Sequence, residues 1–374
     1  MVQIISQTED ISWIEHTEKN AGLLTLAGKF SAARKLLSKL LKAIPKQDHL
    51  AIARIYHKIG NTYNQQWQFK AAEPFYEKAE LALMKVKEPE QMWFGWIELQ
   101  IDYSYVVMHL RKVVLYEQKK EKLKSAIEIY GNLSQKARYS YVIFTDILWK
   151  NGWYMLPDET IMICEGIINL AEKENNLAIK ITLQNILAFT YLFRHDFQKS
   201  RKIALEILNT LGENGFGEEI VRAYCTICFS YRKERDIALA REWTAKAYKA
   251  ADFNKNATFK YLMDSITSWI YLKEGNLQEA KKSAMRSLKE IIKYRYPFLA
   301  FSLLPLITIY TSENKIHKAI QFAFRMLAPN QQKVSDKINQ PLKTTIMYWG
   351  KGDMKNAKNF LKDAIHHADE NGFL

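Results

Sequence analysis

The sequence predicts an all-α protein, a right-handed solenoid of about nine helix pairs with a period of about 40 residues. Three observations carry that expectation. Proline (8) and glycine (14) are scarce among 374 residues of which 48% are apolar, a composition that favours helix and allows a large buried body. One pattern recurs along the chain: an aromatic, a polar tip four residues on, an apolar residue two later and usually a small residue three beyond that. It reads "YNQQWQFKAAEPFY" at 63–76, "YLFRHDFQKSRKIA" at 191–204, "YRKERDIALAREWT" at 231–244 and "YLKEGNLQEAKKSA" at 271–284, and twice more before the end. The tips fall at Gly28, Trp67, Met155, His195, Arg235, Gly275, Asn314 and Gly352, with steps of 40, 40, 40, 39 and 38 residues from Met155 onward. Such a fixed interval is the mark of stacked helix pairs.

Each unit has its physical reason. In "IYHKIGNTYNQQWQFKAAEPFYEKAELAL", Tyr56, Ile59, Gly60 and Tyr63 share one face of a first helix, and Ala72, Tyr76 and Ala79 one face of a second. The small residues let two backbones approach, and the aromatics fill the wedge toward the next pair. The step of 88 residues between Trp67 and Met155 leaves room for two units. One is irregular, around "YSYVVMHLRKVVLYEQKKEKLKSA". The expected organisation is a single domain over 1–374, irregular near 90–140 and regular over 141–374.

This spacing of small and aromatic residues resembles the tetratricopeptide-repeat superfamily. Ser200, Thr244 and Met326 depart from its usual residues. A narrower resemblance rests on "YPFLAFSLLPL", "MLAPNQQ" and the ending "YWGKGDMKNAKNFLKDAIHHADENGFL", which look like the C-terminal helical tail of bacterial STAND/AAA-type signalling ATPases, cyclase- or kinase-linked. The sensor region of maltose-activator-like regulators is a more distant likeness. No G-x-x-x-x-G-K-[ST] loop occurs in the sequence. The resemblance therefore implies a sensor or scaffold region that is part of a longer protein or acts on an effector in trans. The ending at "NGFL" favours a fragment or a covered end.

Other readings are narrowed by chemistry. The +14 charge comes from 54 basic residues of which 13 are Arg; lysine spread over helix exteriors accounts for it, and nucleic acid is left as a less favoured partner. Lys119, Lys120, Lys122 and Lys124 read as a solvated helix end. Cys164, Cys225 and Cys228 read as core residues of a reducing, cytoplasmic compartment, since Cys225-x-x-Cys228 has no second ligand pair. The glycines of "GENGFGEE" (212–219) read as a turn between units. His366 and His367 point about 100° apart on a helix and do not suit one ion. No membrane segment, catalytic constellation, metal site or cofactor site is expected, and the protein is read as no enzyme.

The candidate site is a column of rings. Trp149, Phe189, Phe229 and Trp269 stand 40 residues apart, at a first-helix position that in tetratricopeptide units faces a groove. Asn185, Arg222 and Arg232 are its polar handles. Exposed rings in such a place suit a protein or peptide ligand; a tightly wound superhelix would instead bury them against neighbouring repeats. The expected function is non-catalytic binding: a sensor or scaffold region serving an ATPase or other effector module in cis or trans. The alternative is a stand-alone peptide receptor or adaptor, with Asn185, Arg222 and Arg232 holding peptide backbone or carboxylate.

Overall fold

A computed structural model describes residues 2–66, 68–151, 157–212, 217–254, 257–293, 299–329 and 331–374. Among these there are eighteen helices and no strand, as the composition predicts. The chain divides into two compact units, 1–143 and 144–374.

Unit 1 holds α1 (Val2–Leu26), α2 (Phe30–Ala43), α3 (His49–Asn64), α4 (Phe69–Leu83), α5 (Pro89–His109), α6 (Val113–Tyr130) and the start of α7 (Leu133–Asn151). The α3–α4 pair shows why the repeat uses its residue types. Ile59, Gly60, Ala72, Tyr76 and Ala79 are buried between the two helices. A Cβ on Gly60 would stand 3.1 Å from the Tyr76 ring, so only glycine admits that ring at its present depth. The Tyr76 hydroxyl donates to Asn61 Oδ1, which meets the hydrogen-bonding need of a buried phenol. In the irregular pair, Lys119 pairs with Glu80 at 2.9 Å and covers the Tyr103 ring, and Lys122 covers the Trp96 ring. These lysines pack on their own unit.

Unit 2 holds α8 (Glu159–Lys173), α9 (Leu177–Phe193), α10 (Phe197–Leu211), α11 (Glu218–Glu234), α12 (Ile237–Phe253), α13 (Ala257–Lys273), α14 (Leu277–Lys293), α15 (Ala300–Ser312), α16 (Ile316–Met326), α17 (Asp336–Gly350) and α18 (Met354–Glu370). Helices pack in consecutive pairs, and the first members α9, α11, α13 and α15 also pack on one another in succession. One continuous apolar core runs from Ile181 to Leu374.

The polar tips turn out to be the left-handed residues that end each first helix. Gly28, His195, Arg235, Gly275, Asn314 and Gly352 all have φ between 58° and 76°; Trp67 and Met155 lie outside the described residues. The residue after each tip returns its N–H to a carbonyl five residues back, which for five tips belongs to the pattern's aromatic: Asp196 to Tyr191, Asp236 to Tyr231, Asn276 to Tyr271, Lys315 to Tyr310 and Asp353 to Tyr348. This is the closing bond of a Schellman cap. Where that residue is Asp196, Asp236, Asn276 or Asp353, its side chain also accepts from a backbone N–H three residues on and caps the second helix. A two-residue turn thus satisfies both helix ends at once. Arg111 has the same conformation (φ 59°) between α5 and α6; it is the tip of the irregular unit, missed because neither glycine nor the aromatic four residues before marks it.

A second recurring device ties one pair to the next. Six residues after a tip a cation covers the next unit's aromatic and reaches the residue just before the next tip. Arg34 covers Tyr63 and reaches Gln66; Arg201 covers Tyr231 and reaches Glu234; Arg241 covers Tyr271 and reaches Glu274; Lys281 covers Tyr310 and reaches Glu313. Exposed ion pairs add little by themselves, but the ring contact and the fixed geometry set the register of neighbouring pairs.

Candidate functional site

The ring column leads to the place where α11, α13 and α15 meet. Phe229 lies on α11, Trp269 on α13, and between them stands Arg232, one turn after Phe229. The Arg232 guanidinium is 4.9 Å from the Phe301 ring of α15, 5.8 Å from Trp269 and 6.0 Å from Phe229. Phe229 and Phe301 are 4.7 Å apart. Phe189 on α9 is partly buried and rests on Phe193 at 4.6 Å, a ring that Lys233 covers in turn.

These groups are closed over by the segment after α18. Gly372 (φ 70°) ends that helix in a further Schellman cap, with the Phe373 N–H on the Ala368 carbonyl at 2.8 Å and the Gly372 N–H on the Asp369 carbonyl at 3.0 Å. The cap turns Phe373 inward, where it stacks on Phe301 at 5.6 Å. Arg232 donates to the Phe373 carbonyl at 2.5 Å, Lys233 to the Asn371 carbonyl at 3.2 Å and Arg235 to the Asp369 carbonyl at 3.0 Å. The Asp369 carboxylate is held by Arg235 at 3.0 Å and by Lys273 at 2.6 Å. Three main-chain carbonyls and one carboxylate of a single short segment are therefore read by four cations: Arg232 and Lys233 on α11, Arg235 at its left-handed tip and Lys273 on α13.

Burial follows from this cover. Trp269 is 0% exposed, Arg232 1% and Phe229 7%. Of the column's rings Phe229 and Trp269 are enclosed and Phe189 is partly buried; α18 returns to α15 and brings Phe373 onto Phe301 of the same cluster. A buried guanidinium is tolerated only with ring faces and acceptors to replace water, which the three rings and the Phe373 carbonyl supply. The Trp269 indole N–H makes no hydrogen bond among the described residues. Burial, and after it the charge of Arg232, bring the Lys233 ammonium down to about 7.

The other predicted handles lie apart from this cluster. Asn185 is buried on α9 and donates to the carbonyl and carboxylate of Glu219 at 3.0 and 2.7 Å, while its own Oδ1 accepts no hydrogen bond among the described residues. Arg222 pairs with Glu218 one turn earlier and lies over the Phe259 ring. The Trp149 side chain lies outside the described residues. Phe301, Lys233 and Phe373 were not legible as site residues: none occupies the 40-residue column, and Phe373 arrives from 141 residues away from Arg232.

Cys164, Cys225 and Cys228 are buried. Burial pushes the Cys164 and Cys228 thiols up to about 12 and Cys225 well above the usual thiol range. Unit 1 has a cavity of about 450 Å³ bordered by Arg54, His57, Asn61, Glu98, Asp102 and Arg138. Burial raises the Asp102 carboxyl, but Arg138 and His57 more than offset this and hold it well below its ordinary range. No helix among the described residues is long and apolar enough to cross a membrane.

The tetratricopeptide-repeat family profile matches residues 53–81, the α3–α4 pair. No curated protein matches the sequence. Among solved structures, NprR in complex with its cognate peptide NprX matches with a TM-score of 0.60 at 10% identity, over 95% of this chain and 98% of that one. A Rap protein complexed with competence and sporulation factor matches at 0.58 and 14% identity, over 86% and 87%. The apo form of RapI matches at 0.55 and 11% identity, over 97% and 99%. At such identities the likeness establishes the fold.

Proposed function

We propose that this chain, a tetratricopeptide-repeat protein by its fold, is a non-catalytic receptor whose unit 2 binds a short linear peptide on the ring-lined face of α11, α13 and α15. One observation carries the reading: that face already holds a peptide segment in a sequence-independent way, through side-chain bonds to the carbonyls of Asp369, Asn371 and Phe373. Arg and Lys donors aimed at main-chain carbonyls recognise a backbone, and the rings beside them recognise apolar side chains. Similar folds have been solved with the peptide NprX and with competence and sporulation factor, which supports a peptide over a cofactor or a nucleic acid. A ligand that prefers one packing of the first helices over another would pass its presence to an effector partner.

The test is selection of random seven-residue peptides on the purified chain and on a Phe373→Ser/Leu374→Ser variant. Peptides enriched on either protein should bind it in solution and lose at least about tenfold in affinity to Arg232→Gln, the range expected for one charge-assisted bond. If neither folded protein enriches a peptide, or if Arg232→Gln leaves affinity unchanged, the receptor reading of this face is wrong.

A further inference from the structure

We infer that residues 371–374 act as an internal stand-in for the ligand, so that an incoming peptide must share their chemistry and displace them. This rests on the receptor reading above and adds two things to it: what the ligand looks like and how its access is controlled.

The ligand's chemistry can be taken from what the face holds. Lys233 and Arg232 take carbonyls at 371 and 373, and Phe301 takes an aromatic ring at 373. Leu374 is buried beside it. A matching peptide carries an aromatic followed by an aliphatic, with the main-chain carbonyl of the aromatic open to Arg232. A turn-forming residue before the aromatic completes the set.

The segment is also built to separate into a fixed part and a releasable part. Asp369 belongs to α18, and its two ion pairs and the helix's own packing hold it. Beyond it, Gly372 is the single left-handed residue on which Phe373 and Leu374 swing inward. A Cβ there would stand 3.1 Å from Lys233 Cγ, and a side chain would also strain the backbone at φ 70°. Rotation at this one glycine removes both apolar side chains and uncovers Arg232, while α18 stays in place. Until then the segment competes from within the same molecule, at an effective concentration on the order of millimolar. A free ligand of equal intrinsic strength therefore sees only the fraction of molecules in which the segment is out.

The experiment uses a fluorescein-labelled, amidated synthetic peptide Ala-Asp-Glu-Asn-Gly-Phe-Leu, the sequence of residues 368–374, read by fluorescence anisotropy. The proteins are the full chain, Phe373→Ser/Leu374→Ser, Gly372→Ala, and the double variant with Arg232→Gln added, each checked for helicity by circular dichroism. The expected result is binding to the double variant on the order of 100-fold tighter than to the full chain, an intermediate gain for Gly372→Ala, and loss of that gain with Arg232→Gln. Equal affinity for the full chain and the double variant would overturn the competition and leave the receptor reading standing. Absence of binding to any helical variant would overturn the inference, and the receptor reading falls separately only if peptide selection also fails. Should the double variant unfold, Gly372→Ala decides: no gain in binding shows the segment to be a structural plug.

Discussion

Arg232, enclosed by three aromatic rings on α11, α13 and α15, donates a hydrogen bond to the main-chain carbonyl of Phe373, 141 residues further along the chain. That bond joins the middle of unit 2 to its last turn. It makes Phe229 and Trp269 part of the core and of the candidate site at once, and the consequences differ from those of an open groove.

Phe229→Ala should destabilise unit 2 by about 3–5 kcal/mol, the usual cost of emptying a buried Phe site. An open ring would lose far less. The measurement is the urea midpoint of the variant against the wild type, and a loss under about 1 kcal/mol would show that Phe229 is not enclosed as described.

Lys233 makes unit 2 sensitive to pH. Its folded value of about 7 lies below the ordinary lysine value of 10.5, so between those limits the unfolded chain holds a proton that the folded chain lacks. Stability contributed by this group therefore rises as pH rises from about 7 to about 10.5, and below 7 its burial penalty is present in full. Replacing it by Met should flatten the rise in urea midpoint between pH 7 and 10. An unchanged slope in Lys233→Met would assign the pH response to other groups.

The three cysteines should resist alkylation in the native protein at pH 8 and react fully once it is denatured. Burial and raised thiol values both keep them neutral and out of reach. Cys225→Ala with Cys228→Ala should cost about 1–3 kcal/mol together. Rapid native labelling of either would contradict their placement.

The tips give a backbone test. Gly275 stands at φ 76° with open space around it, so Gly275→Val should cost about 1–2 kcal/mol through backbone strain alone. His195→Gly, at φ 62°, should be neutral or stabilising by up to about 1 kcal/mol. Opposite signs in thermal melts support the shared left-handed tip; equal destabilisation by both would refute it.

What could be read in the sequence was local. The aromatic, the tip four residues on and the polar residue after it form one hydrogen-bonded turn, complete within about ten residues. Its glycines and Asp or Asn caps are therefore visible in any alignment of the chain on itself, and the small residues that admit Tyr76 beside Gly60 belong to the same short span. Arg111 escaped because Val107, not an aromatic, stands four residues before it, whereas Tyr231 marked the equally left-handed Arg235. The tertiary structure decided everything that depends on distant segments meeting: that Arg201, Arg241 and Lys281 each lock onto the following unit, that Phe301 from outside the column completes the ring cluster, and that Phe373 and Leu374 cover it. Periodicity places residues of one unit relative to the next. It carries no information on the return of α18 to α15, and that return brings the Phe373 carbonyl to Arg232 in the cluster where Phe229 and Trp269 are buried.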